Sequence, residues 1–184
     1  MQLRDNGLRY SRVTIVLHWL VAILLFSIIG LSLAIAQSTD YTQKLEWTHV
    51  RNLLGTILFF VALYRFWARV TSYQPLPLGT PNPVEVIVSR SVAAALALAM
   101  VLLPIAAWLS QCAAGEVVGL PGGWAIPAPF GANAQAHSVF AFLFNLGTTA
   151  FLAGLALHIF GALKNHLVLK NDVLKRMLGK HVEL

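Results

Sequence analysis

The sequence predicts an all-α membrane protein, a bundle of four spanning helices with both termini cytoplasmic. Three observations predict it. The 184 residues are 58% hydrophobic and 11% charged, with mean hydropathy +0.71, whereas soluble domains carry about a quarter charged residues. Four apolar runs, 13–36, 48–67, 86–109 and 136–163, reach the roughly 20 residues that a helix needs to cross the hydrocarbon core. What remains is too short for a separate soluble domain, so residues 1–184 are read as one membrane domain.

The first run, Val13 to Ala36, far exceeds the ~7–15-residue apolar stretch of a secretory signal, and no small-x-small site follows it, so it is read as a permanent helix. The second, Thr48 to Trp67, gives way to Thr71–Pro83, a proline-rich stretch that favours extended backbone. The third, Val86 to Leu109, contains Pro104, a kink that a membrane helix tolerates when neighbouring groups satisfy the freed carbonyl. Between it and the fourth, residues 114–133 carry Gly115, Gly119, Pro121, Gly122, Gly123, Pro127, Pro129 and Gly131 among Val117, Val118, Leu120, Trp124, Ile126 and Phe130. That composition predicts an irregular, apolar lid at the outer lipid interface, with Trp108 and Trp124 as interfacial anchors. The fourth run, Ala136 to Leu163, is expected to continue into the cytoplasm through the mixed basic and apolar tail, Lys164 to Leu184.

Orientation follows from Lys and Arg close to the helix ends. Arg4, Arg9 and Arg12 precede the first helix, Arg65, Arg69 and Arg90 bracket the second connection, and Lys164, Lys170, Lys175, Arg176 and Lys180 follow the last. The opposite side holds Lys44 and Arg51, and residues 111–136 have no basic residue. The net charge of +6 is therefore a topology signal. No basic patch interleaved with aromatics suggests a nucleic-acid partner; the expected surroundings are membrane lipid. One cysteine, Cys112, excludes an intrachain disulfide, a cysteine-bound cluster and c-type haem attachment.

Ionisable rings at membrane depth are expensive and generally face the bundle interior. His18 lies about four residues inside the first span and His158 about six before Lys164, which puts both roughly 6–9 Å inside the same membrane face. Two imidazoles at matching depth on the first and last helices suit the axial ligation of a b-type haem iron. A hydrogen-bonded interior pair or a proton relay explains the same depth. Arg12, Arg65 and Arg69 could pair with haem propionates or serve only as topology signals against anionic lipid. His49 and His137 stand near the opposite lip as a second pair for a second haem iron, with a mismatch in height of about 9 Å. They are equally well read as interfacial histidines. His166, past Lys164, is a surface or propionate-proximal group, and His181 lies in the tail without a site signal.

Over essentially its whole length the chain resembles the bacterial b561-type cytochromes, four-helix di-haem inner-membrane proteins. The likeness rests on Tyr10-Ser11-Arg12 followed by His18-Trp19-Leu20-Val21, on Gly55 with Arg65 and Arg69, on Pro104, and on Leu157-His158-Ile159-Phe160-Gly161-Ala162-Leu163-Lys164-Asn165-His166. It continues through Lys170-Asn171-Asp172-Val173-Leu174-Lys175-Arg176-Met177-Leu178. The resemblance implies a haem b between His18 and His158. It also places the family's second-helix ligand where Arg51 stands and another where Phe144 stands. Arg51 stays protonated and Phe144 has no lone pair, so neither can bind iron. Either His49 and His137 hold a shifted second haem, or only the cytoplasmic-side haem is kept.

The activity implied is single-electron transfer with the quinone pool, ubiquinone being the acceptor, in the bacterial inner membrane. Superoxide as donor is a narrower version, disfavoured by an outer loop offering Glu116 and no cation. If the chain is an enzyme, it is a quinone-linked oxidoreductase. The rival reading is a haem-bearing anchor subunit that docks a soluble redox partner.

Overall fold

In a computed structural model, which describes residue 5 and residues 10–72 and 82–180, the chain is helical almost throughout. The long helices are α1 (Arg12–Gln37), α2 (Tyr41–Thr71), α3 (Pro83–Ala113) and α4 (Ala134–Leu163), and a short α5 (Val173–Met177) follows. All four long helices have the length and hydropathy to cross a membrane. Their outward positions carry large apolar side chains such as Ile23, Phe60, Phe142 and Phe160, each more than 60% exposed. That exposure is stable only against lipid.

Each of the four long helices starts where a short polar side chain meets the orphan amides of its first turn. The Thr14 amide donates to Ser11 Oγ at 3.1 Å, and Asp5 accepts from the Ser11 amide at 2.6 Å and from Thr14 Oγ1 at 2.9 Å. Asp40 Oδ1 accepts from the Thr42 and Gln43 amides at 2.9 and 3.4 Å. Asn82 Oδ1 takes the Val84 amide at 2.9 Å, with Pro83 in the first helical position, where its missing N–H costs nothing. Asn133 Oδ1 takes the Ala136 amide at 2.9 Å. These caps lengthen the apolar runs. α2 begins at Tyr41 rather than Thr48, because Asp40 ends the connection early and the polar turn after it is already helical.

The chain forms two compact units, one of Met1–Leu20, Leu63–Ala99 and Thr149–Leu184, the other of Val21–Ala62 and Met100–Thr148. In the first, the tail departs from the expected straight continuation. A π-helical turn, Lys164–Val168, follows α4, and the backbone then reverses at Lys170, whose φ is +50°. Asn165 makes the break: its side chain donates to the Gly161 carbonyl and accepts from the Asn171 side chain, and its carbonyl takes the Asn171 amide. After α5 the Gly179 amide reaches the Arg176 carbonyl and the Lys180 amide the Lys175 carbonyl, a Schellman stop that uses the left-handed φ of +76° at Gly179. The turn sets α5 against the start of α1. Trp19 Nε1 donates to the Met177 carbonyl at 3.1 Å, and Arg176, 8% exposed, lies 5.9 Å over the Tyr10 ring.

In the second unit Val21, Leu24 and Leu58 form the core with Leu25, Ile28, Leu54, Val61 and Met100 around them. α3 and α4 come close at Gly147, where a Cβ would stand 2.8 Å from Leu103 Cδ2. α3 ends in a second Schellman stop, the Glu116 amide on the Gln111 carbonyl and the Gly115 amide on the Cys112 carbonyl. The lid is more regular than its composition suggests. Strands β1 (Val118–Gly119) and β2 (Ala125–Ile126) pair antiparallel around a tight Pro121–Gly123 turn. Trp124 is 76% exposed, as an interfacial anchor should be. Trp108 differs from expectation, because its indole nitrogen is buried with no hydrogen-bond partner among the described residues.

Candidate functional site

In the first unit α1 presents His18 and α4 presents His158 to each other. Their ring centroids are 6.1 Å apart and the ring planes are inclined by 57°. Two imidazoles sharing one metal at about 2 Å per metal–nitrogen bond have centroids about 6 Å apart, so this spacing fits a bis-imidazole ligated haem. Both rings are half-buried. Among the described residues there is no group of three or more His, Cys, Asp or Glu that could hold a metal ion.

Three contacts orient His18. Trp19 meets it edge-on, centroids 5.6 Å apart at 81°, and is itself tied to α5 through the Met177 carbonyl. Arg65, from α2, brings Nη2 to 3.4 Å from His18 Nδ1. His158 completes the set. The ion pairs in this unit, Lys164 with Glu85 at 2.8 Å and Lys175 with Asp172 at 2.7 Å, leave Arg65 and Arg69 without a carboxylate partner among the described residues. The region is positive. Burial holds the Tyr10 hydroxyl above its ordinary pKa, and the charges of Arg176, Arg69 and Arg90 pull it the other way, with Asp5 adding to the rise. Two bidentate-capable guanidinium groups without anions, beside paired imidazoles, suit a ligand that carries carboxylates. Arg12 is exposed at the first residue of α1.

The second unit does not assemble a matching pair. His49 lies against the lid, its Nε2 2.6 Å from where a Gly119 Cβ would be, and Asn52 Nδ2 donates to the Gly119 carbonyl at 3.0 Å. His137 Nδ1 stands 2.9 Å from the Ser110 carbonyl, to which only a protonated nitrogen can donate. Among the described residues His49 and His137 make no ring contact with each other. Arg51 and Phe144, both half-buried, occupy the positions where the resemblance puts ligands. His166 is half-buried in the turn after α4; His181, Arg4 and Arg9 lie outside the described residues.

Reasoning from the sequence missed two features. The tie from Trp19 to Met177 depends on a chain reversal that no periodicity reveals; the Asn165 and Asn171 pair around Lys170 is its only trace. The hold of His49 and Asn52 on Gly119 was also missed, although their spacing of three residues puts both side chains on one face of α2.

The family profile described as "Prokaryotic cytochrome b561" matches residues 9–180. The chain is 31% identical over 185 residues to "Cytochrome b561 homolog 2" of Escherichia coli (strain K12), an alignment covering 98% of this chain and 96% of that protein. With four membrane-length helices and a haem-compatible histidine pair, this multi-pass protein of a membrane haem b electron-transfer family belongs to the prokaryotic cytochromes b561.

Proposed function

We propose that the protein is a single-haem electron carrier of the bacterial inner membrane that exchanges electrons with the quinone pool, and that His18 and His158 would hold its iron. The observation that carries the reading is the 6.1 Å approach of the two rings. A bound haem supplies a one-electron couple, and its chemistry belongs to the cofactor. The protein's residues do the rest. His18 and His158 would hold the iron from two helices with neutral imidazole nitrogens. Arg65 and Arg69, with Arg12 at the helix start, would supply positive charge for the propionates. Trp19 packs against the His18 ring and fixes it to α5.

One haem rather than two is the better reading, because the second pair is engaged elsewhere: His49 against Gly119 and His137 on Ser110. Both termini are assigned to the cytoplasm on the distribution of Lys and Arg. Ubiquinone is the expected acceptor, and superoxide as donor is set aside for want of a positive outer loop. The test is reduction of the purified, haem-loaded protein by decylubiquinol, followed in its visible spectrum. A low-spin spectrum that responds to the quinol within a turnover time supports the reading; a low-spin spectrum reduced by dithionite but inert to quinol contradicts the quinone assignment.

A further inference from the structure

Arg51 is a cation where membrane depth makes one expensive. It follows closely on Thr48, where the second apolar run begins, and it is half-buried. The lipid-facing stripe of α2 is Val50, Leu53, Ile57 and Phe60, each at least 37% exposed. Arg51 stands off that stripe, in an i, i+3, i+7 series with Leu54 and Leu58, which belong to the packed core with Val21 and Leu24 of α1. Its neighbours His49 and Asn52 meet the lid at Gly119. The guanidinium therefore belongs to the interior side of α2, beneath the lid.

No carboxylate of the second unit compensates it. The ion pairs among the described residues, Lys164 with Glu85 and Lys175 with Asp172, both lie in the first unit. Asp40 is engaged with the amides at the start of α2. Glu46 is exposed and lies about 140° around the helix from Arg51. Glu116 is exposed after the α3 stop.

Trp108 adds a second donor at the same depth. Met100 of α3 packs on the Leu58 cluster, and Gly119, beyond the end of α3, meets Asn52 of α2, so the two helices run antiparallel between core and lid. Trp108 stands about 12 Å from Met100 toward the lid, and Arg51 about 10 Å from Leu58 in the same direction. The indole nitrogen is buried with no hydrogen-bond partner among the described residues. Guanidinium and indole both donate and neither accepts. The outer part of this unit thus carries an excess of donors, one of them charged, and is complemented by a group that brings both acceptors and negative charge.

We infer that Arg51 and Trp108 form an oxyanion site beneath the outer lid, which takes a phosphate group through the guanidinium fork and the indole N–H. Phosphate suits the pair because two of its oxygens match the planar fork while a third is left to accept from the indole. Its source is the headgroup of an outer-leaflet phospholipid or the free ion. The site belongs to the second unit and does not rest on ligation by His18 and His158.

The test titrates the purified protein in dodecyl maltoside, at constant pH, with sodium phosphate and separately with dihexanoyl phosphatidylglycerol, against sodium chloride at matched ionic strength. Binding is read as a rise in Tm and as a downfield shift of the Trp108 indole ¹H–¹⁵N signal, assigned with Trp108→Phe. Saturable changes with a phosphate probe and none with chloride are expected. A response to phosphatidylglycerol alone makes the lipid headgroup the source; a response to sodium phosphate makes it the free ion. Arg51→Gln should abolish saturation, and Trp108→Phe, which keeps the apolar packing, should raise the half-saturating concentration several-fold. An unmoved Trp108 signal with both probes, or undiminished saturation in Arg51→Gln, would overturn the inference. If Arg51→Gln does not fold, Trp108→Phe decides, and a half-saturating concentration equal to that of the wild type overturns it.

Discussion

Individual side chains set what the two units can do, and glycines show how tightly. Gly119 leaves His49 room that a methyl would take, at 2.6 Å from the ring nitrogen. Gly119→Ala should loosen the lid, seen as faster proteolysis at residues 114–133, and His49→Ala in the same chain should restore most of the protection. Additive effects would show that the two residues do not meet. At Gly147 the obstacle is the flexible tip of Leu103, so Gly147→Ala should cost only about 1–3 kcal/mol as ordinary overpacking, read as a lowered Tm. Tyr10 gives a pH dependence. Its folded pKa lies above the ordinary 10.0, so the folded state binds the proton more tightly than the unfolded chain. Stability is then intact below pH 10 and falls as pH rises from the unfolded toward the folded value. Tyr10→Phe should flatten that alkaline loss in thermal melts.

At the scale of elements, the sequence made some starts and stops legible and hid others. Apolar runs gave the four spans because length and hydropathy alone decide membrane crossing. Their true beginnings came from Ser11, Asp40, Asn82 and Asn133, residues that look like loop composition until a helix follows them. Asp40→Ala should cost about 1 kcal/mol, fraying the first turn of α2 and lowering its amide-exchange protection. The tail could not be read as a reversal, since its mixture of Lys, Arg, Leu and Val has no preference between continuing a helix and folding back. Docking of α5 is a tertiary choice, made through Trp19 and the Met177 carbonyl. Trp19→Phe keeps the packing surface and removes the donor. It should expose the Met177–Lys180 backbone to exchange while leaving α4 protected.

For the whole molecule, the pairing of His18 with His158 was legible because depth in a membrane is a coordinate that sequence position reports, at about 1.5 Å per helical residue. The same arithmetic already gave His49 and His137 a mismatch in height. It could not say what would occupy them, because a lid built from glycine and proline has no periodicity to place Gly119 over His49. Arg65 was visible as a cation near the right depth, but its approach to His18 required the helices to be assembled. Topology remains a statement about charge distribution, and reporter fusions at residues 2 and 184 should both be active only as cytoplasmic reporters.

The most direct test of the proposed centre is haem per polypeptide in purified protein, by pyridine haemochrome against amino-acid analysis, for wild type and His158→Ala, His49→Ala and His137→Ala. One haem per chain, lost in His158→Ala and retained in the other two variants, is the predicted result. Two haems with one lost in either His49→Ala or His137→Ala, or none in the wild type, would contradict it.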